Sequence, residues 1–264
     1  MIRQGDFPLY VVRVRGPKNI PAIIRMSENI EHFLKLLHEN YTDRSIARIC
    51  ARTKLQSKCT FWHLYRRCVL TGTTAKRVIS QNKKEENNVK LNRTISRLFP
   101  STFTCEPMEY GITHEAVAVK IFFDIFKKQH FKAQMHDTGL VVYKKAPYIQ
   151  GSPDSIFTCD CCEEAYVVEV KSPYRLREVG LESWRILEYL DKDKCLKKSH
   201  SYYNQLNLYQ GILNVSQAYF VVYAKDKVLV DTIEFDKDFF ENQIKNLTEY
   251  YINYYLPSVI KKRI

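Results

Sequence analysis

The chain has no long apolar run. Its longest, Ala218 to Ala224, falls far short of the roughly 18 residues a membrane span needs, and the opening MIRQGDFPLYVVRVRG lacks the continuous apolar core of a secretory signal. These absences predict an intracellular protein with no membrane association. Cysteine is sparse, 8 residues in 264, too dilute for a disulfide scaffold, and a reducing compartment keeps such residues as thiols. The sequons at Asn40, Asn92, Asn214 and Asn246 are therefore read as chance matches. No internal repeat is visible. Acidic side chains are scarce in the front of the chain: residues 1–100 carry 20 Lys and Arg against 7 Asp and Glu, while residues 101–264 carry 21 against 22. A basic front joined to a balanced remainder points to a polyanionic partner, most simply a nucleic-acid backbone. No basic amphipathic helix with an aromatic face points to an anionic membrane instead.

Residues 1–26 mix Pro, Gly and β-branched residues and read as an extended arm. From Ser27 as N-cap, Ile30, Phe33, Leu34 and Leu37 recur at helical spacing, and a second helix covers Asp43 to Leu55. These helices predict a small basic appendage over 1–58, followed by a second domain over 59–264. The polar stretch Gln81 to Asn92 reads as an exposed connection. A helix is expected from Tyr110 to His130, with Ile112, Ala116, Val119, Ile121 and Phe122 on one apolar face. Strands are expected at Leu140 to Lys144, Ile156 to Cys159, Ala165 to Lys171, Ala218 to Ala224 and Val228 to Phe235. Helical patterns at Leu181 to Leu190 and Ser199 to Leu213 separate the third strand from the fourth, and another runs from Asp236 to Leu256. The fold class is α/β, with a mixed central sheet flanked by helices.

The informative stretch is Gly151-Ser152-Pro153-Asp154, then fourteen residues, then Glu169-Val170-Lys171. Strand residues two apart share a face, so Glu169 and Lys171 project together while Val168 and Val170 pack on the other side. The intervening TCDCCEE is a polar turn that returns the chain antiparallel and brings Asp154 beside Glu169. Paired carboxylates with a nearby backbone carbonyl suit a hard divalent cation, Mg²⁺ with Mn²⁺ as a substitute. Lys171 is placed to hold or deprotonate an attacking water, and a neighbouring metal would depress its pKa. A surface hairpin with alternating charges would carry the same short pattern.

Further residues resemble the YqaJ-like viral recombinase family of phage lambda-type exonucleases, within the PD-(D/E)XK nuclease superfamily. The resemblance runs from Trp62 to Leu213. It implies a restriction-endonuclease-like core. Trp62-His63-Leu64-Tyr65-Arg66-Arg67-Cys68-Val69-Leu70-Thr71-Gly72-Thr73 is similar to a segment that binds the phosphate at a DNA end, which implies that role for Arg66, Thr71 and Thr73. Tyr110-Gly111-Ile112-Thr113-His114-Glu115 matches a motif that lends a helix glutamate to the metal, implying Glu115. Tyr203-Asn204-Gln205-Leu206-Asn207 matches one whose glutamine positions the water or lysine, implying Gln205. Asp154, Glu169 and the Val170 carbonyl match the remaining metal ligands, and Lys171 the catalytic lysine. Two positions depart from the pattern: Ser155 stands where the family usually has Gly, and Gly72-Thr73 where it usually has Ala-Ser. Read alone, Glu115 is one polar position on an amphipathic helix, Gln205 one of several amides on a Tyr-rich helix, and Arg66 a general phosphate contact.

Cys159, Cys161 and Cys162 are read as thiols beside a hairpin. Structural zinc needs four ligands, and C-x-C-C in a tight turn is not expected to turn three sulfurs toward one ion. The resemblance implies a Mg²⁺-dependent DNA exonuclease that starts at duplex ends and digests 5′ to 3′, with a homotrimer and a single-strand annealing partner. The rival readings are a structure-specific endonuclease or RNase on the same core, and a catalytically silent DNA-binding protein.

Overall fold

A computed structural model describes residues 16–82, 104–162 and 164–262. The arm expected before residue 16, and the polar connection from residue 83 onward, lie outside these.

The front of the chain is helical: α1 (Ile20–Met26), α2 (Ile30–Asn40), α3 (Asp43–Arg52) and α4 (Thr60–Tyr65). Two sequence expectations change here. Residues 20–26 are helical rather than extended, because Pro21 sits at the start of a helix, where its missing N–H costs nothing. Ser27 closes α1, and the N-cap of α2 is Asn29, whose side chain accepts from the His32 N–H at 2.8 Å.

After β1 (Leu70–Thr71) and α5 (Gly72–Asn82) come α6 (Glu106–Phe126) and the short strands β2 (Gln134–His136), β3 (Val141–Val142) and β4 (Ile149–Gly151). Then follow β5 (Ser155–Thr158), β6 (Tyr166–Lys171), α7 (Ser201–Leu213), β7 (Gln217–Ala224), β8 (Lys227–Glu234), α8 (Lys237–Tyr250), a π-helical turn (Tyr251–Tyr255) and α9 (Leu256–Lys262). The expected helix at Leu181 to Leu190 is a 3₁₀ segment, Leu181–Ile186.

Two sheets form among the described residues. The smaller has the order β1-β4-β3, the larger β2-β5-β6-β7-β8. The β5–β6 hairpin is antiparallel with Ser155 opposite Val168, whereas β6 and β7 run parallel, a pairing that needs a crossover. Helix α7 lies within that crossover. Phe122 and Ala118 of α6 pack on Val168, Val170, Tyr219 and Val221 of the larger sheet; Ile112, expected on that face, is exposed. The opposite face of the sheet meets α7, which is buried from Tyr203 to Gln210. Helix α7 ends at Asn214, whose left-handed φ of +55° suits a C-terminal cap.

A third core joins the two ends of the chain. Ile23, Phe33 and Ile49 share it with Leu70, Tyr148, Tyr251 and Tyr255, with Tyr148 stacked on Tyr251 at 4.1 Å. The described part of the basic appendage thus packs into the same interior as the C-terminal helices.

Candidate active site

Asp154 directly precedes β5, and the hairpin register sets it beside Glu169. Its Oδ2 accepts the Val170 N–H at 2.7 Å. Within a strand, the N–H and C=O of one residue point to the same side, so the Val170 carbonyl also faces the edge that β5 vacates beyond Ser155. Ser155 opens β5 as a regular strand residue without left-handed backbone. The departure from glycine there leaves the turn unstrained.

Glu169 is 1% exposed. One carboxylate oxygen, Oε1, accepts from Gln205 Nε2 at 2.7 Å and from Lys171 Nζ. The other, Oε2, is buried without a partner. Burial pushes the Glu169 carboxyl up to about 8, with the Asp154 charge adding to the rise and Lys171 opposing it. Burial and Asp154 likewise raise Glu115 to about 7, opposed by Lys171 and Lys58. Asp154 is raised by burial against the pull of Lys171 and the Val170 N–H. Glu115 belongs to α6, on the sheet face away from α7, yet its field reaches both other acids.

Three carboxylates crowded into a poorly solvated space exceed the charge one lysine can balance. With an orphaned oxygen among them, the donor set fits a hard divalent cation held by Asp154, Glu169, Glu115 and the Val170 carbonyl. Among the protein groups alone, burial lowers the Lys171 pKa, but Glu169 and Asp154 outweigh it and the net shift is upward. The expected depression required a metal beside the lysine; the carboxylates by themselves reverse its sign. The ammonium also lies 4.9 Å from the centre of the Tyr202 ring.

Gln205 has a second bond, from Nε2 to the Tyr209 hydroxyl at 2.9 Å. Against its stem rests the start of α5. A Cβ on Gly72 would lie 2.7 Å from Gln205 Cγ, so a side chain there would have to displace one of the two. Thr71 and Thr73 flank this contact with their hydroxyls 2.9 Å apart, Thr71 buried and Thr73 exposed. Arg66 lies over the Trp62 ring at 4.0 Å. Burial lowers the Arg66 pKa while Tyr209 opposes, and the guanidinium stays charged. Arg66 and Tyr209 thus influence each other electrostatically, and Gly72, between Thr71 and Thr73, lies against Gln205.

Three further residues were not singled out from the sequence. Gln56 Nε2 donates to the Pro153 carbonyl at 2.8 Å, and Trp62 Nε1 donates to Ser152 Oγ at 2.9 Å, so the turn before Asp154 is held from outside. Tyr209 stands four residues after Gln205. That spacing, one helical turn, was the available signal; nothing in the sequence marks Gln56.

The C-x-C-C turn requires a correction. Sγ of Cys159, Cys161 and Cys162 lie 3.3, 3.5 and 3.6 Å from Nδ1 of His130. The tight turn does bring its three sulfurs together, because Asp160 N–H is anchored on the Phe131 carbonyl at 2.9 Å and the turn closes around the end of α6.

Residues 61–213 match the family of the YqaJ-like viral recombinase domain. No curated protein matches the chain. Among solved structures, an alkaline exonuclease, LHK-Exo, from Laribacter hongkongensis superposes with a TM-score of 0.56 at 16% identity, over 76% of this chain and 94% of that one. The shutoff and exonuclease protein of Kaposi's sarcoma-associated herpesvirus gives 0.56 at 9% identity, over 88% and 75%. A SOX–DNA complex gives 0.55 at 10%, over 87% and 73%. These likenesses establish a shared fold. No helix of the described residues is long and apolar enough to cross a membrane. With the family matched across β1, the acidic hairpin and α7, the chain belongs to the YqaJ-like viral recombinase domain family of the PD-(D/E)XK superfamily.

Proposed function

We propose that the chain is a Mg²⁺-dependent deoxyribonuclease, an exonuclease that enters at duplex ends and digests 5′ to 3′. The observation that carries the reading is the unpartnered, buried Oε2 of Glu169, set among two more acids whose pKa values are raised together. A bound Mg²⁺ would polarise the phosphoryl oxygen and make water a better nucleophile. The chain supplies the rest. Asp154, Glu169, Glu115 and the Val170 carbonyl hold the ion. Lys171 stays protonated between Glu169 and Asp154, so its part is to orient water by donating to it and to offset negative charge. Gln205 fixes the Glu169 carboxylate. Arg66, Thr71 and Thr73 grip the end phosphate.

Solved relatives include a SOX–DNA complex and a SOX–RNA complex, which supports a nucleic-acid substrate. The family resemblance supports a homotrimer, testable by sedimentation, and a single-strand annealing partner. The purified chain, incubated with Mg²⁺, Mn²⁺ or chelator, is tested on 5′-labelled linear duplex, closed circular duplex and RNA. Metal-dependent loss of linear duplex from its 5′ ends, with circles spared, is expected. Equal cutting of circles would make the protein an endonuclease, preferred loss of RNA an RNase, and binding without hydrolysis a silent module.

A further inference from the structure

Outside the acidic site, His130, Cys159, Cys161 and Cys162 place one ligand atom each within 4.8 Å of one another. We propose that these four residues form a closed structural zinc site that pins the acid-bearing hairpin to the acid-bearing helix. A tetrahedral ion with sulfur at about 2.3 Å and imidazole nitrogen at about 2.0 Å separates sulfurs by about 3.8 Å and sulfur from nitrogen by about 3.5 Å. The Nδ1–sulfur separations run from 3.3 to 3.6 Å, and Cys161 lies 3.5 Å from Cys159. Three thiolates and an imidazole are soft donors that select zinc over magnesium.

The surroundings orient the ligands as metal sites require. The His130 ring is fixed by an edge contact with Phe157 at 5.1 Å and runs nearly parallel to Phe126. The Phe131 N–H donates to Cys161 Sγ at 3.3 Å, a bond that steadies a coordinated thiolate. All four positions are filled by protein, so none is left for substrate. The cluster lies remote from the acids: Glu115 is eleven residues before the end of α6, about 16 Å along its axis, and Asp154 is five strand residues before Cys159, about 17 Å. His130 follows α6, which carries Glu115, while the cysteines close the hairpin that carries Asp154 and Glu169. An ion there would link the elements bearing all three acids.

The test measures zinc in the full chain purified without added metal, with Asp154→Ala in parallel to remove any metal held by the acidic site. About one zinc per chain is expected in both, falling at least about tenfold in the Cys161→Ser/Cys162→Ser variant. A variant that fails to fold does not decide the matter, because the unmutated chain has its own readout. Exchange of its zinc for Co²⁺ should give thiolate-to-cobalt absorption with tetrahedral ligand-field bands. A folded, metal-free chain, zinc that persists in the double serine variant, a Cys159–Cys161 disulfide, an iron–sulfide chromophore or cobalt spectra without thiolate absorption would each overturn the proposal.

Discussion

Gln205 donates through a single amide nitrogen to both Glu169 Oε1 and the Tyr209 hydroxyl, at 2.7 and 2.9 Å. Its position decides which Glu169 oxygen is occupied and which stays open. Gln205→Ala should therefore lower kcat about 10²-fold, with little change in KM for DNA, because it loosens a metal ligand and leaves the DNA-binding groups in place. Tyr209→Phe, which removes only the outer anchor, should cost about tenfold or less, and the double variant should cost less than the product of the two. Steady-state kinetics of the three variants check this; additive losses would mean that the two residues act separately.

Gly72 exposes the same dependence from the other side. A methyl group there would press on Gln205 Cγ at 2.7 Å, too close for both groups to stay where they are. Gly72→Ala should slow turnover about tenfold through the displaced amide while leaving the thermal midpoint within a few degrees of the parent. Equal turnover in Gly72→Ala would show that α5 yields instead of Gln205.

Asp154→Ala and Glu169→Ala should each lower cleavage about 10³-fold or more, with DNA binding retained or tightened because a negative charge facing phosphate is removed. Asp154→Ala should also destabilise the fold, since the Val170 N–H loses its acceptor, by about 1–3 kcal/mol. Cleavage and gel-shift assays on the same preparations separate the two effects. Full Mg²⁺-dependent turnover in either variant would remove these residues from the metal site.

The hairpin acids were legible because period-two alternation and a polar turn leave few ways to place Asp154, Glu169 and Lys171. Glu115, Gln205 and Arg66 came only through family resemblance: Glu115 and Gln205 lie on helices whose local pattern does not say what they face, and Arg66 is the C-cap of α4. Helix α7 shows why. Its buried amides read as ordinary polar positions, yet Gln210 Nε2 reaches the Ile233 carbonyl at 2.9 Å, and the Asn204 carbonyl accepts from Gln243 Nε2 of α8 at 2.9 Å, partners set by tertiary packing. The fourth member of the cysteine cluster, His130, sits 29 residues before Cys159 and joins it only because a helix and a hairpin end at the same place.

The raised acids link stability to pH with a definite sign. Glu169 and Glu115 are pushed up to about 8 and about 7, so above the ordinary carboxylate range the folded chain holds protons that the unfolded chain has released. That contribution is complete at acid pH and is lost as pH rises through about 7 to 8. Without divalent cation, the thermal midpoint should fall between about pH 6 and pH 8.5, and Glu169→Gln should flatten the decline. The Mg²⁺-induced rise in midpoint should be larger at the alkaline end, where the carboxylates are free to bind it. A rise independent of pH would mean that the ion binds elsewhere.

Arg66 is placed by its stack on Trp62 at 4.0 Å, and a planar fork binds a terminal phosphate in two directions where an ammonium cannot. Arg66→Ala should slow digestion of 5′-phosphorylated ends selectively, and Arg66→Lys should not restore it. Digestion of matched 5′-phosphate and 5′-hydroxyl duplexes is the measurement; equal losses on both would reduce Arg66 to a backbone contact.

The excess positive charge lies before residue 101, and deleting residues 1–58 is the direct way to ask what it does. The structure advises against that deletion, since Ile23, Phe33 and Ile49 share a core with Tyr251 and Tyr255 and their removal would open the interior. Charge removal at the surface is cleaner. Lys54 and Lys58 are exposed, and Lys58 is near enough to the acids to lower the Glu115 pKa, which sets this basic stretch at the approach to the site. If both lysines neutralise phosphates, Lys54→Gln/Lys58→Gln should weaken DNA binding and flatten the dependence of log affinity on log salt by about 0.9 for each phosphate left without its cation. Cleavage at saturating DNA should persist with Mg²⁺, because Asp154, Glu169, Lys171 and Gln205 are untouched, while the acid limb of its pH profile should move slightly upward as Glu115 loses a neighbouring cation. Affinity titrated across a salt series gives the slope. An unchanged slope with unchanged affinity would place the DNA path on another face of the protein.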